Sequence, residues 1–188
     1  MEKTAPEVTI IYREGLSDVQ MEKQLPNEIQ AVNNMISKIS EKIKKPDYSP
    51  EVIHVTVDKK INTRFFSTKD GRRNPKETPK LENPASGSII LEPLSKDKEY
   101  DFHLVPQVVN QGTCTPTHYR VAYKSCEKIS LEGLAEFTFE QCFNYFNWQG
   151  AVRVPACMQA ADKLAKLVGE YVKEDVKAGD LKDKHHYL

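Results

Sequence analysis

The chain holds 188 residues, 39% of them apolar and 29% charged, with 27 basic side chains balanced by 27 acidic ones. Such a length fits about one domain or a piece of a larger one. Zero net charge excludes a uniformly basic nucleic-acid coat and an acidic tail protein, while leaving room for a local basic patch.

Val8-Thr9-Ile10-Ile11-Tyr12 is a short β-branched run that predicts a buried strand, stopped at Arg13-Glu14-Gly15. Ile29, Val32, Ile36, Ile39 and Ile43 recur every three or four residues and predict an amphipathic helix, broken by Pro46, Tyr48 and Pro50. Val52–Val57 reads as a second buried strand, followed by Asn62-Thr63-Arg64-Phe65-Phe66. The Pro-rich stretch from Thr68 to Gly87 reads as a long surface loop (67–87 with its margin). Short strands are expected at Ser88–Leu91, Asp101–Val109 and Tyr119–Tyr123, the last two joined by a Gln111-Gly112-Thr113 turn. Leu134, Phe139, Cys142, Phe143 and Phe146 predict a helix ending before Gly150. Met158, Ala161, Leu164, Ala165, Val168 and Val172 predict another after Pro155. The core runs from about residue 7 to 176, and 177–188 is a charged tail. Strands interleaved with helices argue for an α/β fold.

The longest stretch free of Asp, Glu, Lys and Arg, Phe102 to Tyr119, is interrupted by Pro106, Gln107, Asn110, Gln111 and Pro116. A membrane span needs ~20 mostly apolar residues, so none is expected. The opening Met1–Pro6 is too polar for a signal peptide. Cysteines at 114, 126, 142 and 157 form no CxxC pair, which argues against structural zinc. They read as reduced thiols of an intracellular protein, cytoplasmic or nuclear, with Cys142 and Cys157 as core fillers. Between Lys59 and Lys80 lie eight basic and two acidic residues, a local balance of +6. Such a segment could meet a phosphate backbone or could simply be a solvated loop.

Six segments in order resemble the Argonaute and Piwi proteins. Ile10-Ile11-Tyr12-Arg13-Glu14-Gly15 resembles their Y-R-D-G strand end, and Lys59–Phe66 their K-R-x-x-T-R-x-F segment, in a wording closest to Piwi. Gln111–Tyr119 is similar to Q-G-T-x-x-P-T-H-Y. Phe146–Gly150 and Val152–Ala156 resemble the F-N-W-x-G and I-R-V-P-A of Piwi, and His186-Tyr187-Leu188 is similar to the family's Y-Y-L ending. The match spans Val8 to Leu188 and implies the C-terminal half of a PIWI domain, which has an RNase-H-like α/β fold. The rest of that domain and further domains would lie upstream.

The resemblance implies small-RNA-guided silencing, in which guide RNA is bound and target RNA is cut by two Mg²⁺ ions held between carboxylates. Two of the family's four metal-binding positions fall upstream. The third falls on Glu14, where the family has Asp. The extra methylene moves the carboxylate by roughly one bond length, and such sites are sensitive to errors near ~1 Å. The fourth falls on Asp162, an accepted alternative to the family's His. Asp162 also reads as a helix-start acid with Lys166 at i+4, and Glu14 as a strand-end carboxylate near Arg13. By position Lys59, Lys60, Arg64, Gln107, Tyr145 and Gln159 resemble guide-backbone contacts. Arg153 compensates in part for family arginines replaced by Thr115, Asn147 and Gly150. Tyr145 alternatively packs in the core on the Phe139–Phe146 helix. The Leu188 carboxylate resembles a chain end that reaches the guide's 5′ phosphate through a cation. His118 is expected to pack or hydrogen-bond within its own turn. The alternative function is a non-catalytic fragment that binds nucleic acid or protein. A third reading leaves the segment without independent function, with Val8–Tyr12 and Val52–Val57 as uncovered edges.

Overall fold

A computed structural model describes residues 5–15, 17–68, 80–91, 100–125 and 128–173. The chain divides into two compact units. The first is Met1–Asp58, Glu92–Phe102 and His118–Ser130; the second is Lys59–Leu91, His103–Thr117 and Leu131–Leu188.

In the first unit, β1 (Val8–Glu14) runs parallel to β2 (Glu51–Asp58), with Val8 opposite Glu51 and Glu14 opposite Val57. Parallel neighbours need a crossover, here α1 (Asp18–Ile43). The helix starts about three turns before the isoleucine stripe, because Ser17 caps it. Its hydroxyl accepts from the Gln20 amide, and the Gln20 side chain accepts from the Ser17 amide at 3.0 Å. At the other end Lys44 turns left-handed, and its amide bonds back to Glu41. β2 is antiparallel to β7 (Thr117–Lys124), so it lies between two strands, and Val52 through Val57 are buried. Val52–Val57 is therefore not an edge. β1 is half-buried along its whole length rather than buried, since among the described residues it pairs with β2 alone.

In the second unit, a two-residue ladder joins β3 (Ser67–Thr68) to β4 (Leu81–Glu82), so both ends of the expected long loop are paired. Residues 69–79 of that loop lie outside the described residues, as does the 177–188 tail. β5 (Ser88–Ile90) is antiparallel to β6 (Asp101–Val105), which Pro106 ends four residues sooner than the sequence suggests. Backbone pairing gives the strand order β1-β2-β7-β6-β5. Helix α2 (Leu131–Gln141) stops at Gln141. Cys142, Phe143, Tyr145 and Phe146 therefore lie in the following loop, closed at its base by the Val152 amide on the Cys142 carbonyl at 2.8 Å. Helix α3 (Ala156–Leu167) buries Met158 and ends in a π-helical turn, Val168–Val172. Its expected apolar side is only partly covered: Ala161 and Ala165 are exposed. Cys142 is a core filler, whereas Cys157 is exposed.

Candidate nucleic-acid interface and candidate acids

The second unit carries most of the candidate residues. Lys59–Phe66 has neither helix nor strand after Asp58, and Lys60 and Arg64 are exposed. Arg64 folds back on its own segment, with Nη1 donating to the carbonyls of Ile61 (2.8 Å) and Thr63 (2.7 Å). Arg153 reaches the same segment from the other direction, with Nη2 donating to the Lys59 carbonyl at 2.6 Å. The two guanidiniums both act on Cys114. Burial pushes its thiol up, against the lowering charges of Arg153 and Arg64.

A cleft of about 670 Å³ opens in this unit, lined by Gln107, Asn110, Phe143, Trp148, Arg153 and Gln159 among others. Gln107 follows β6, Arg153 precedes α3 and Gln159 sits in the first turn of α3. Three residues separated by up to half a hundred positions thus share one wall. The loop supporting Gln107 is fixed by Asn83. Its amide donates to the carbonyls of Val109 (3.2 Å) and Gly112 (2.8 Å), and its oxygen accepts from the Cys114 amide at 2.8 Å. Tyr145 is not a helix core residue. It lies in the loop after α2, with the Lys163 ammonium 5.3 Å over its ring.

Asp162 stands in the middle of α3, beyond the first turn, so the helix-dipole argument does not apply to it. Its carboxylate meets Lys166 at 2.7 Å. The Lys166 hydrogen bond, against slight burial and aided by the charges of Lys166 and Lys59, holds it below the usual carboxylate range. Lys59 and Asp162 are therefore electrostatic neighbours.

Glu14 ends β1 in the first unit, half-buried. Arg13 donates from Nη1 to the Glu14 carbonyl at 2.6 Å and from Nε to Glu28 of α1 at 3.1 Å. The other Glu28 oxygen meets Nε2 of His54 at 3.0 Å. His54 is only 1% exposed, in mid-β2. Burial works to raise the Glu28 carboxyl, but the hydrogen bonds from Arg13 and His54, and their charges, outweigh it and hold it below its ordinary value. His118 meets Asp101 of β6 at 2.9 Å. Leu188 lies outside the described residues.

Magnesium asks for several hard oxygen ligands. Among the described residues no three His, Cys, Asp or Glu side chains gather. Asp162 already has an ammonium on one oxygen. The described residues therefore do not by themselves fit the ion.

Sequence reasoning overlooked Asn83, Trp148 and the Glu28–His54 pair. A signal was present for the last. A histidine inside an apolar strand run demands a buried polar partner, and Glu28 flanks the Ile29–Val32 stripe of the neighbouring helix.

The mixed α/β sheet is consistent with an RNase H-like lobe, as solved structures show. The crystal structure of Drosophila Piwi is similar with a TM-score of 0.74 and 32% identity, over 99% of this chain and 24% of that one. The crystal structure of Kluyveromyces polysporus Argonaute with a guide RNA is similar in fold, with a TM-score of 0.73 at 21% identity over 87% of this chain and 18% of that one. Residues 1–173 match the Piwi domain. The chain belongs to the Piwi domain family. Protein argonaute-3 of Drosophila melanogaster is 37% identical over 97% of this chain and 19% of its own length. Piwi-like protein Ago3 of Bombyx mori is 39% identical over 89% and 16%. The chain thus spans about a fifth of the length of these relatives. No helix among the described residues is long and apolar enough to cross a membrane.

Proposed function

We propose that this chain is the RNA-holding part of a Piwi-type, small-RNA-guided silencing protein. It grips the backbone of a single-stranded guide RNA, against which a target RNA pairs. The supporting observation is the cleft that gathers Gln107, Arg153 and Gln159, with amide and guanidinium donors and no carboxylate on its wall. Lys59, Lys60 and Arg64 add positive charge within the same unit. Donors that touch phosphate and sugar, and not base edges, hold any sequence equally, which a guide carrier requires. The Argonaute of similar fold solved with a guide RNA supports this reading.

Fluorescence anisotropy of a labelled, 5′-phosphorylated single-stranded RNA with the full chain tests it. Each cation engaged adds about 0.7 to the log–log salt slope for a single strand, so four cations give a slope near ~3. Replacing Gln107 and Gln159 together by Ala weakens binding by about 5- to 150-fold, as expected for two neutral hydrogen bonds. Absence of binding, or binding that ignores both salt and the double substitution, refutes the proposal. Mg²⁺-dependent cutting is the finer reading. In it Glu14 and Asp162 are this chain's contribution, and further carboxylates come from beyond the described residues.

A further inference from the structure

Trp148 is the chain's one tryptophan, yet its side chain stands 63% exposed. Phe143 beside it in the cleft is 48% exposed. Leaving large aromatic area in water forfeits burial energy, so an exposed pair of this kind marks a binding surface more often than a packing accident. The indole is also held in place. The Trp148 amide bonds to the Tyr145 carbonyl at 3.3 Å, and the loop is closed at its base by Val152 and Cys142. The ring lies against Gly150, where an added Cβ would come within 3.1 Å of the indole nitrogen. Glycine lets the ring settle on the loop's own backbone, which fixes its orientation before any ligand arrives.

Trp148 lines two hollows of the second unit. One is the 670 Å³ cleft with Gln107, Arg153 and Gln159; the other, of about 490 Å³, is formed by Phe146–Gly150. A flat aromatic face set beside backbone-gripping donors, in a cleft without acidic side chains, matches one chemistry closely. Single-stranded nucleic acid offers a base to stack and an anionic backbone to hold, residue by residue. A peptide would also cover the ring, but it gives no account of a wall that gathers amide donors and one guanidinium without a carboxylate.

We infer that Trp148, flanked by Phe143, is a stacking platform for one nucleobase of single-stranded RNA whose backbone lies in the adjacent cleft. The inference rests on the proposed RNA-holding role and adds to it a base contact that is blind to sequence, because every base has a π-face. It makes the chain a holder of bases as well as of phosphates.

The sole tryptophan is its own reporter. Titrating the full chain with unlabelled single-stranded RNA quenches Trp148 fluorescence at the concentrations where labelled RNA binds by anisotropy. Trp148→Ala weakens that binding by about 5- to 100-fold, the range of one lost stack, while Trp148→Phe recovers most of it. Because the side chain is exposed, both variants keep the wild-type circular dichroism spectrum. An abasic strand of equal length loses the quenching and binds like the Trp148→Ala variant sees normal RNA. If RNA binds with its salt dependence but neither quenches Trp148 nor responds to Trp148→Ala, the platform is refuted while the RNA-holding role stands. If the abasic strand binds as well as normal RNA, the platform is equally refuted. If no RNA binds the wild-type chain, both fall. Quenching by an apolar peptide and not by RNA assigns the surface to a protein and overturns the inference.

Discussion

Glu28 ties a helix to the sheet through two partners, and removing it should unfold the first unit early. The carboxylate is acceptor-only, so the proton in its 3.0 Å contact with His54 sits on Nε2. The other ring nitrogen, Nδ1, is buried with no hydrogen-bond partner. In Glu28→Ala the Nε2 proton would also face an empty position inside a core that is 1% exposed. An orphaned buried donor costs about 1–3 kcal/mol. The bond to Arg13 is half in water, with side-chain exposures of 41% and 30%, and after screening contributes about 1 kcal/mol. The sum is about 2–4 kcal/mol, or a fall of roughly 5–12 °C in Tm for a chain of this size.

Calorimetry or circular dichroism at pH 7 reads that fall. Glu28→Gln keeps the shape without the charge and gives the pH signature. Because the folded carboxyl is held below its ordinary value of 4.5, its stabilising effect is fully present above 4.5 and is lost as pH falls through the depressed folded value. The melting gap between wild type and Glu28→Gln is therefore constant from pH 7 to about pH 5 and closes in more acid solution. Adding Arg13→Ala to Glu28→Ala costs little more than Glu28→Ala alone, since the two share one bond. A Glu28→Ala chain melting within about 2 °C of wild type at pH 7, or a gap unchanged at pH 3, refutes the reasoning.

Gly87 has φ +85°, and an added Cβ would stand 3.1 Å from the Phe139 ring. Gly87→Ala therefore lowers stability in urea by about 1–3 kcal/mol, and Phe139→Leu in the same chain relieves part of that loss. Burial pushes the Cys142 thiol up to about 12, and its Sγ donates to the Thr138 carbonyl at 3.3 Å. A thiol reagent at pH 8 therefore modifies exposed Cys157 in the native chain, slowly because that thiol is also raised, and reaches Cys142 only in denaturant. Asp162→Asn removes one exposed i,i+4 pair and shifts stability by less than about 0.5 kcal/mol. Any larger effect of that variant on a Mg²⁺-dependent cut would then report on chemistry and not on folding.

The sequence carried the fold wherever periodicity was strong and the neighbours were local. The valines of Val52–Val57 announced a strand buried on both sides, as β2 is. The isoleucine stripe announced α1, although the stripe hid the start of the helix, which polar Ser17 and Gln20 set by capping. Errors arose where burial depends on what lies across the chain. Val8–Tyr12 has the same β-branched character as β2 yet is half-buried, because hydrophobicity does not tell an edge from a centre. Phe143 and Phe146 continue the spacing of α2 but leave the helix, and their exposure shows that the apolar pattern there served a surface. Of the candidate site, Gln107, Arg153 and Gln159 were legible only through the family resemblance. Nothing in their local spacing says that they meet, and what brings Gln107 into place is Asn83, a residue in a loop with no periodicity.

Of the two candidate acids, Asp162 carries an ammonium on its carboxylate, and this bears on what the segment does. Arg13 grips the Glu14 carbonyl while it pairs with Glu28, and Lys166 covers an oxygen of Asp162. A cluster of bare carboxylates would repel itself and stay poised for a divalent ion. Asp162, balanced by Lys166, is not bare, and that hydrogen bond holds its carboxyl below the usual range.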